Sequence, residues 1–283
     1  ALDYVKEGFN SISTDSYSKY KKIIWNMHSD LLDLENGREL AIKDYRKIEE
    51  NENLLDNESK LYLYQKLSTL SLSLYGYNYD IETNLKAIEL AKKLDKKEEL
   101  YRLIIHLGVS AKQIGEYESA INIIKYTDKL QIDDKYENSI LNCYKLIQLA
   151  QIESRLGNYE KSLSYVNEID KYSYSIKQDA LNDIQVLQLS IKSEYYAEIG
   201  DFKSAHDYLK KAESMIDDNS LDIYANKEMY YYKALANTYK KEKKYEDAID
   251  VYNKGLSLAN KENRIEYKDI YLHGLKMKTI IKT

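Results

Sequence analysis

A helical pattern that recurs at nearly constant spacing constrains this chain more than any other feature of its sequence. The clearest copy runs over Met229–Asn260, where apolar residues follow the i, i+3, i+4, i+7 rhythm of two amphipathic helices. A short polar turn around Lys243 separates the two helices. Three small residues, Ala236, Ala248 and Gly255, stand where the helices would have to approach closely. The stretch therefore predicts a helical hairpin.

The same hairpin can be aligned upstream by its inter-helix turn. The turn positions are spaced 39, 40, 42, 43 and 43 residues apart, at Asn36, Tyr75, Gly115, Gly157, Gly200 and Lys243. A near-constant period of this size is the sequence signature of a solenoid, in which each repeat packs against its neighbours. We predict six repeats and a capping helix, at about 14–56, 57–94, 95–134, 135–175, 176–218, 219–261 and 262–283. Because no Gly/Ser-rich linker or charge block interrupts the array, we predict one domain over 1–283.

Composition agrees with this array and argues against several classes of function. The 283 residues include no proline and only nine glycines, so nothing forbids long helices. The formal net charge of −5 gives no electrostatic reason to expect nucleic acid or an anionic membrane surface as a partner. The single cysteine, Cys143, excludes an internal disulfide and a multi-cysteine metal site. No segment approaches the ~20 apolar residues that a membrane span needs.

The residues at the packing positions resemble the tetratricopeptide (TPR) repeat. The last repeat carries the small and aromatic residues of that family on both helices, at Leu235, Ala236, Tyr239, Tyr245, Ala248 and Tyr252. The resemblance covers about residues 14 to 261, with a period longer than the usual 34 residues and without the family's helix-terminating proline. It implies an all-α fold, a right-handed superhelical solenoid of about six helical hairpins plus a C-terminal capping helix.

The resemblance also implies a function and a surface for it. In this family the first helix of each hairpin lines a concave groove that binds a peptide or protein. The corresponding positions here are Asn26, Gln65, Arg102, Lys112, Gln151, Arg155, Glu194, Lys233 and Asn237. Four of these are amides, which offer both a donor and an acceptor and can hold the backbone of an extended peptide. The basic residues could hold a carboxylate.

No motif for catalysis, metal binding or nucleotide binding is present in the sequence. Glu194 and Glu198 stand at i, i+4, and paired carboxylates can perform acid–base chemistry, although such a pair is also typical of a solvated helix face. We therefore predict a non-enzymatic binding module with no cofactor and no metal. A hydrolase that uses these two carboxylates remains a remote alternative.

Two further hypotheses differ in biological context. In the first, the chain is the sensing or scaffolding module of a bacterial signalling protein, with an effector such as a cyclase or kinase outside this sequence. In the second, it resembles the peptide-pheromone regulators and lacks their N-terminal effector segment, since residues 1–13 are too short to be one. The sequence leaves open the oligomeric state and the compartment, either the cytoplasm or the extracytoplasmic part of a membrane-anchored sensor.

Overall fold

The computed structural model describes residues 38–50, 52–74, 77–216, 227–261 and 265–276. Within these ranges the regular structure is helical and contains no strand. The α-helices are α1 (Arg38–Glu49), α2 (Asn57–Leu74), α3 (Tyr77–Lys93), α4 (Lys97–Gln113), α5 (Tyr117–Lys125), α6 (Lys135–Arg155), α7 (Tyr159–Glu168), α8 (Gln178–Glu198), α9 (Phe202–Glu213), α10 (Lys227–Lys241), α11 (Tyr245–Lys261) and α12 (Ile265–Leu275). Consecutive helices pack as pairs, which confirms the all-α helical-repeat fold.

The chain divides into two compact units between Gly115 and Glu116. In the first unit α2 packs against both α1 and α3, and α3 packs against α4. In the second unit the pairs are α6 with α7, α8 with α9, and α10 with α11. The first helices of these three pairs are neighbours, since α8 packs against both α6 and α10. The single domain over 1–283 and the six repeat boundaries stay predictions.

The turns within the hairpins are set by residues in the left-handed backbone region. Gly115, Gly157 and Gly200 have φ values of +89°, +79° and +82°, and Lys243 has φ of +64° at the same place in the last hairpin. In the second unit, the amide after each of these residues bonds to a carbonyl five residues back, as in Asn158 N to Glu153 O at 2.9 Å. This hydrogen bond ends the first helix and reverses the chain. The predicted turn positions Asn36 and Tyr75 lie outside the described residues.

Small residues of α9 and α11 are buried in the interior of the last two hairpins. Ala205, Ala212 and Ala248 are fully buried, which allows the paired helices to approach closely. The helix α12 packs against α11 and also reaches α10. A Cβ atom added at Gly255 of α11 would lie 2.3 Å from the Tyr271 ring of α12. A Cβ atom at Gly274 of α12 would lie 2.5 Å from the Tyr252 ring of α11, so the two helices interlock reciprocally.

Candidate functional site

The first helices of the last three hairpins carry polar side chains at corresponding positions. Gln151, Glu194 and Asn237 each stand six residues before the left-handed turn residue of their hairpin, and they are 43 residues apart. Arg155, Glu198 and Lys241 each stand two residues before it, again 43 apart. We call these six residues together with Lys233 the α6–α8–α10 face. All six matched positions lie on three helices that are packed side by side in the order α6, α8, α10.

Glu194 is the centre of a hydrogen-bonded network on this face. Lys233 Nζ and Asn237 Nδ2 both donate to the same oxygen, Glu194 Oε1, at 2.8 Å. The Lys233 and Glu194 side chains are 21% and 15% exposed, so the ion pair is partly shielded and still reachable from solvent. The predicted binding residues Glu194, Lys233 and Asn237 are therefore in direct contact. They already form an ion pair and a hydrogen bond with one another.

Tyr252 of α11 extends this network away from the face. Because the carboxylate of Glu194 can only accept, the donating Nδ2 of Asn237 must point towards it. This orientation leaves Oδ1 of Asn237 as an acceptor, and Tyr252 Oη donates to it at 2.7 Å. Burial, with the Glu194 carboxylate as a further cause, raises the pKa of Tyr252 to about 12, so its hydroxyl remains protonated near neutral pH. Sequence reasoning identified Tyr252 as a packing residue and missed this contact.

Arg155, Glu198 and Lys241 form a second row on the face, which contains a separate ion pair. Lys241 Nζ donates to Glu198 Oε2 at 2.5 Å. Burial, followed by the negative charge of Glu198, raises the pKa of Tyr159, whose hydroxyl also bonds to this carboxylate. Arg155, the third member of the row, is exposed and has no ion-pair partner among the described residues. Glu194 and Glu198 are thus bound to different lysines of α10.

The remaining predicted site residues differ in how far their side chains are exposed to solvent. Gln151 is buried on α6. In the first unit, Gln65 on α2 is half-buried and Arg102 on α4 is exposed. Lys112, also on α4, is only 4% exposed, so little of its side chain is open to a ligand. Asn26 lies outside the described residues.

The cysteine thiol and the potential metal ligands are the other chemically functional groups of the described residues. The thiol of Cys143 is buried, and burial raises its pKa to about 12. Among the described residues, no group of three or more His, Cys, Asp and Glu side chains is arranged to hold a metal ion. None of the helices within the described ranges is both long and apolar enough to cross a membrane.

A comparison with protein families identifies one of the hairpins. Residues 230–262 match the family model for the tetratricopeptide repeat. The matched stretch covers most of α10 and all of α11, which are the two helices of the last predicted repeat. No curated protein matches the chain. The family match and the helical-repeat fold support the predicted relationship to tetratricopeptide-type repeats.

Two solved structures can be aligned with nearly the whole length of the chain. The crystal structure of Rap protein complexed with Competence and Sporulation Factor aligns with 99% of this chain and 80% of that chain, at 12% identity and a TM-score of 0.58. The crystal structure of the P58(IPK) TPR domain aligns with 100% of this chain and 75% of that chain, at 15% identity and a TM-score of 0.34. At such identities the likeness to Rap shows a shared fold and assigns no function to individual residues.

Proposed function

We propose that this chain is a protein- or peptide-binding module, and that its binding surface in the second unit is the α6–α8–α10 face. The observation that carries the proposal is the convergence of Lys233 and Asn237 on one Glu194 oxygen at the partly exposed centre of that face. An ammonium, an amide and a carboxylate at one place offer donors and an acceptor to a polypeptide backbone. The role of this module would be sensing or scaffolding in a signalling protein.

The charges on the face favour a ligand that carries a carboxylate. Glu194 and Glu198 are each neutralised by one lysine, at 2.8 Å and 2.5 Å. Arg155 adds a positive charge without an ion-pair partner among the described residues. A guanidinium can bind a carboxylate through two parallel hydrogen bonds, whereas displacing Glu194 from Lys233 would first break an existing ion pair. We therefore infer that Arg155 contributes more to ligand affinity than Lys233 does.

The direct test is selection of peptides from a random library against the full chain, followed by fluorescence anisotropy with one selected peptide. Arg155→Gln should weaken binding at least fivefold, and its effect should disappear at high salt, because the lost contact is ionic. Lys210→Gln on the exposed surface of α9 serves as the matched charge control and should leave affinity unchanged. Equal affinities of the two variants would reject this face as the binding surface.

A peptide-responsive regulator is the second candidate, and its support is the fold likeness to the Rap protein, which was solved with Competence and Sporulation Factor. A regulator should prefer a small set of short peptides, whereas a scaffold should bind segments within folded partners. Selection with free peptides of five to ten residues, compared with the same sequences displayed in a loop, distinguishes the two. Preference for the free form favours the regulator.

The hydrolase hypothesis has a separate test. Each carboxylate of its proposed pair is bound to a lysine, so a substrate would have to compete with an existing ion pair for either carboxylate. Incubation of the chain with a selected peptide, followed by mass spectrometry, should show no cleavage. Cleavage that Glu194→Gln abolishes would instead establish the enzyme.

A further inference from the structure

The Glu194 network is connected to the last described helix by a continuous series of contacts. Tyr252 Oη donates to Asn237 Oδ1 at 2.7 Å, while the ring of Tyr252 occupies the space that a side chain at Gly274 would fill. Tyr252 is only 3% exposed. One buried residue of α11 is therefore bonded to the α6–α8–α10 face at its hydroxyl and packed against α12 at its ring.

A second series of contacts joins the same two places. Tyr230 of α10 packs edge-to-face against Tyr267 of α12, with ring centroids 5.7 Å apart. Tyr230 also touches the core cluster that α6 and α8 build around Ile147 and Ile184. One residue earlier on α10, the carbonyl of Met229 accepts a hydrogen bond of 2.6 Å from Tyr271 Oη. The helix α12 is thus held to α10 both through Tyr252 and directly.

We propose that the Glu194–Asn237 pair is coupled to α12 through Tyr252, so that a ligand which binds the Asn237 amide changes the stability of α12. The regulatory part of this inference rests on the proposed function, because it assigns the ligand to the α6–α8–α10 face. A ligand that turns the Asn237 amide, or that donates to its Oδ1, takes this acceptor away from Tyr252. The buried hydroxyl of Tyr252 then lacks its partner, and the ring that supports Gly274 loses its fixed position.

The size of the coupling follows from the bond that transmits it. A hydrogen bond of ordinary net strength corresponds to about a fivefold change in a local opening equilibrium. Coupling between two sites is reciprocal, so loosening α12 should strengthen the binding of a ligand on the face by the same factor. The stability of α12 would thereby depend on whether a ligand occupies the binding surface.

Hydrogen–deuterium exchange of the full chain, read on peptides that cover α12, tests the coupling without any ligand. Asn237→Ala should accelerate exchange in α12 about fivefold, while exchange in α6 stays unchanged as the internal reference. Lys241→Ala is the matched control, since Lys241 lies on α10 as Asn237 does, contacts Glu198 of α8 and is not bonded to Tyr252. It should leave exchange in α12 at the wild-type rate.

Tyr252→Phe keeps the ring against Gly274 and removes only the hydroxyl, so the fold should tolerate it. This variant should reproduce the effect of Asn237→Ala, and the double variant should exceed neither single variant. Equal α12 exchange in Asn237→Ala and Lys241→Ala, or additive effects in the double variant, would overturn the coupling. Neither result would change the outcome expected from the peptide-binding test with Arg155→Gln. Failure of the coupling and failure of the proposed function are therefore distinguishable.

Discussion

Replacement of Gly255 by alanine should destabilise the second unit, although the same change usually stabilises a helix. Gly255 lies in the middle of α11, where a glycine is about 1 kcal/mol less favourable than alanine. A Cβ atom at this position would lie 2.3 Å from Cε1 and Cζ of Tyr271 and 2.7 Å from its Oη. Carbon atoms in contact prefer about 3.5–4.0 Å, so the ring would have to move by roughly 1.2 Å or more.

Tyr271 cannot make this movement without losing other interactions. Its side chain is fully buried, and its hydroxyl donates to Met229 O at 2.6 Å. Overpacking of this kind costs about 1–3 kcal/mol, and a strained or broken buried hydrogen bond costs about 1–3 kcal/mol more. Subtracting the ~1 kcal/mol gain in helix propensity from the middle of these two ranges leaves a net loss of about 3 kcal/mol. For a chain of this size, that loss corresponds to a melting temperature lower by about 6–12 °C.

Thermal unfolding followed by circular dichroism at 222 nm measures the effect. Ser257→Ala at an exposed position of the same helix is the control, and it should be neutral or slightly stabilising. In a Tyr271→Leu background the ring is gone, so Gly255→Ala should then be neutral or favourable. A higher melting temperature for Gly255→Ala alone would refute the reasoning, because it would mean that α11 and α12 do not interlock at this point.

Three further predictions concern the backbone, a buried ion pair and the thiol. Lys243→Gly should stabilise the last hairpin by about 1 kcal/mol in chemical denaturation, since a lysine at φ +64° is strained, whereas Gly200→Ala at φ +82° should do the opposite. Lys227→Ala should cost about 3–5 kcal/mol in the same assay, because it removes an ammonium that lies 2.8 Å from the fully buried carboxylate of Asp183. Cys143, whose pKa is raised to about 12 by burial, should resist alkylation by iodoacetamide at pH 8 in the folded chain and react fully in guanidinium, so rapid native labelling would contradict its burial.

The fold could be predicted from the sequence because its signals are local. Gly115, Gly157 and Gly200 stand where the backbone must become left-handed, and that requirement holds whatever surrounds the turn. Lys243 was aligned with them by spacing alone, and it adopts the same conformation. The repeat period predicted these four positions together, since one misplaced turn would have broken the register of the others.

The contacts within the site could not be predicted in the same way. Spacing placed Glu194 and Asn237 at corresponding positions, but it left open which lysine of α10 would neutralise which glutamate of α8. The structure pairs Glu194 with Lys233 and Glu198 with Lys241, a choice that depends on how the two helices are rotated about their axes. The burial of Lys112 likewise depends on tertiary packing, because its position on the first helix of a hairpin predicts an open side chain.

The pairing on the α6–α8–α10 face has a consequence for how a ligand gains affinity. A ligand group that takes the place of Glu194 at Lys233 or Asn237 replaces an existing hydrogen bond, so only the difference between the two bonds contributes to affinity. Arg155 has no ion-pair partner among the described residues, so a carboxylate that binds it replaces only water. Affinity should therefore come from Arg155, whereas the exchange of partners at Asn237 should transmit binding to Tyr252 and α12. One face can serve both for affinity and for transmission because Arg155 and Asn237 lie in different rows. Each row carries a different residue at each 43-residue step.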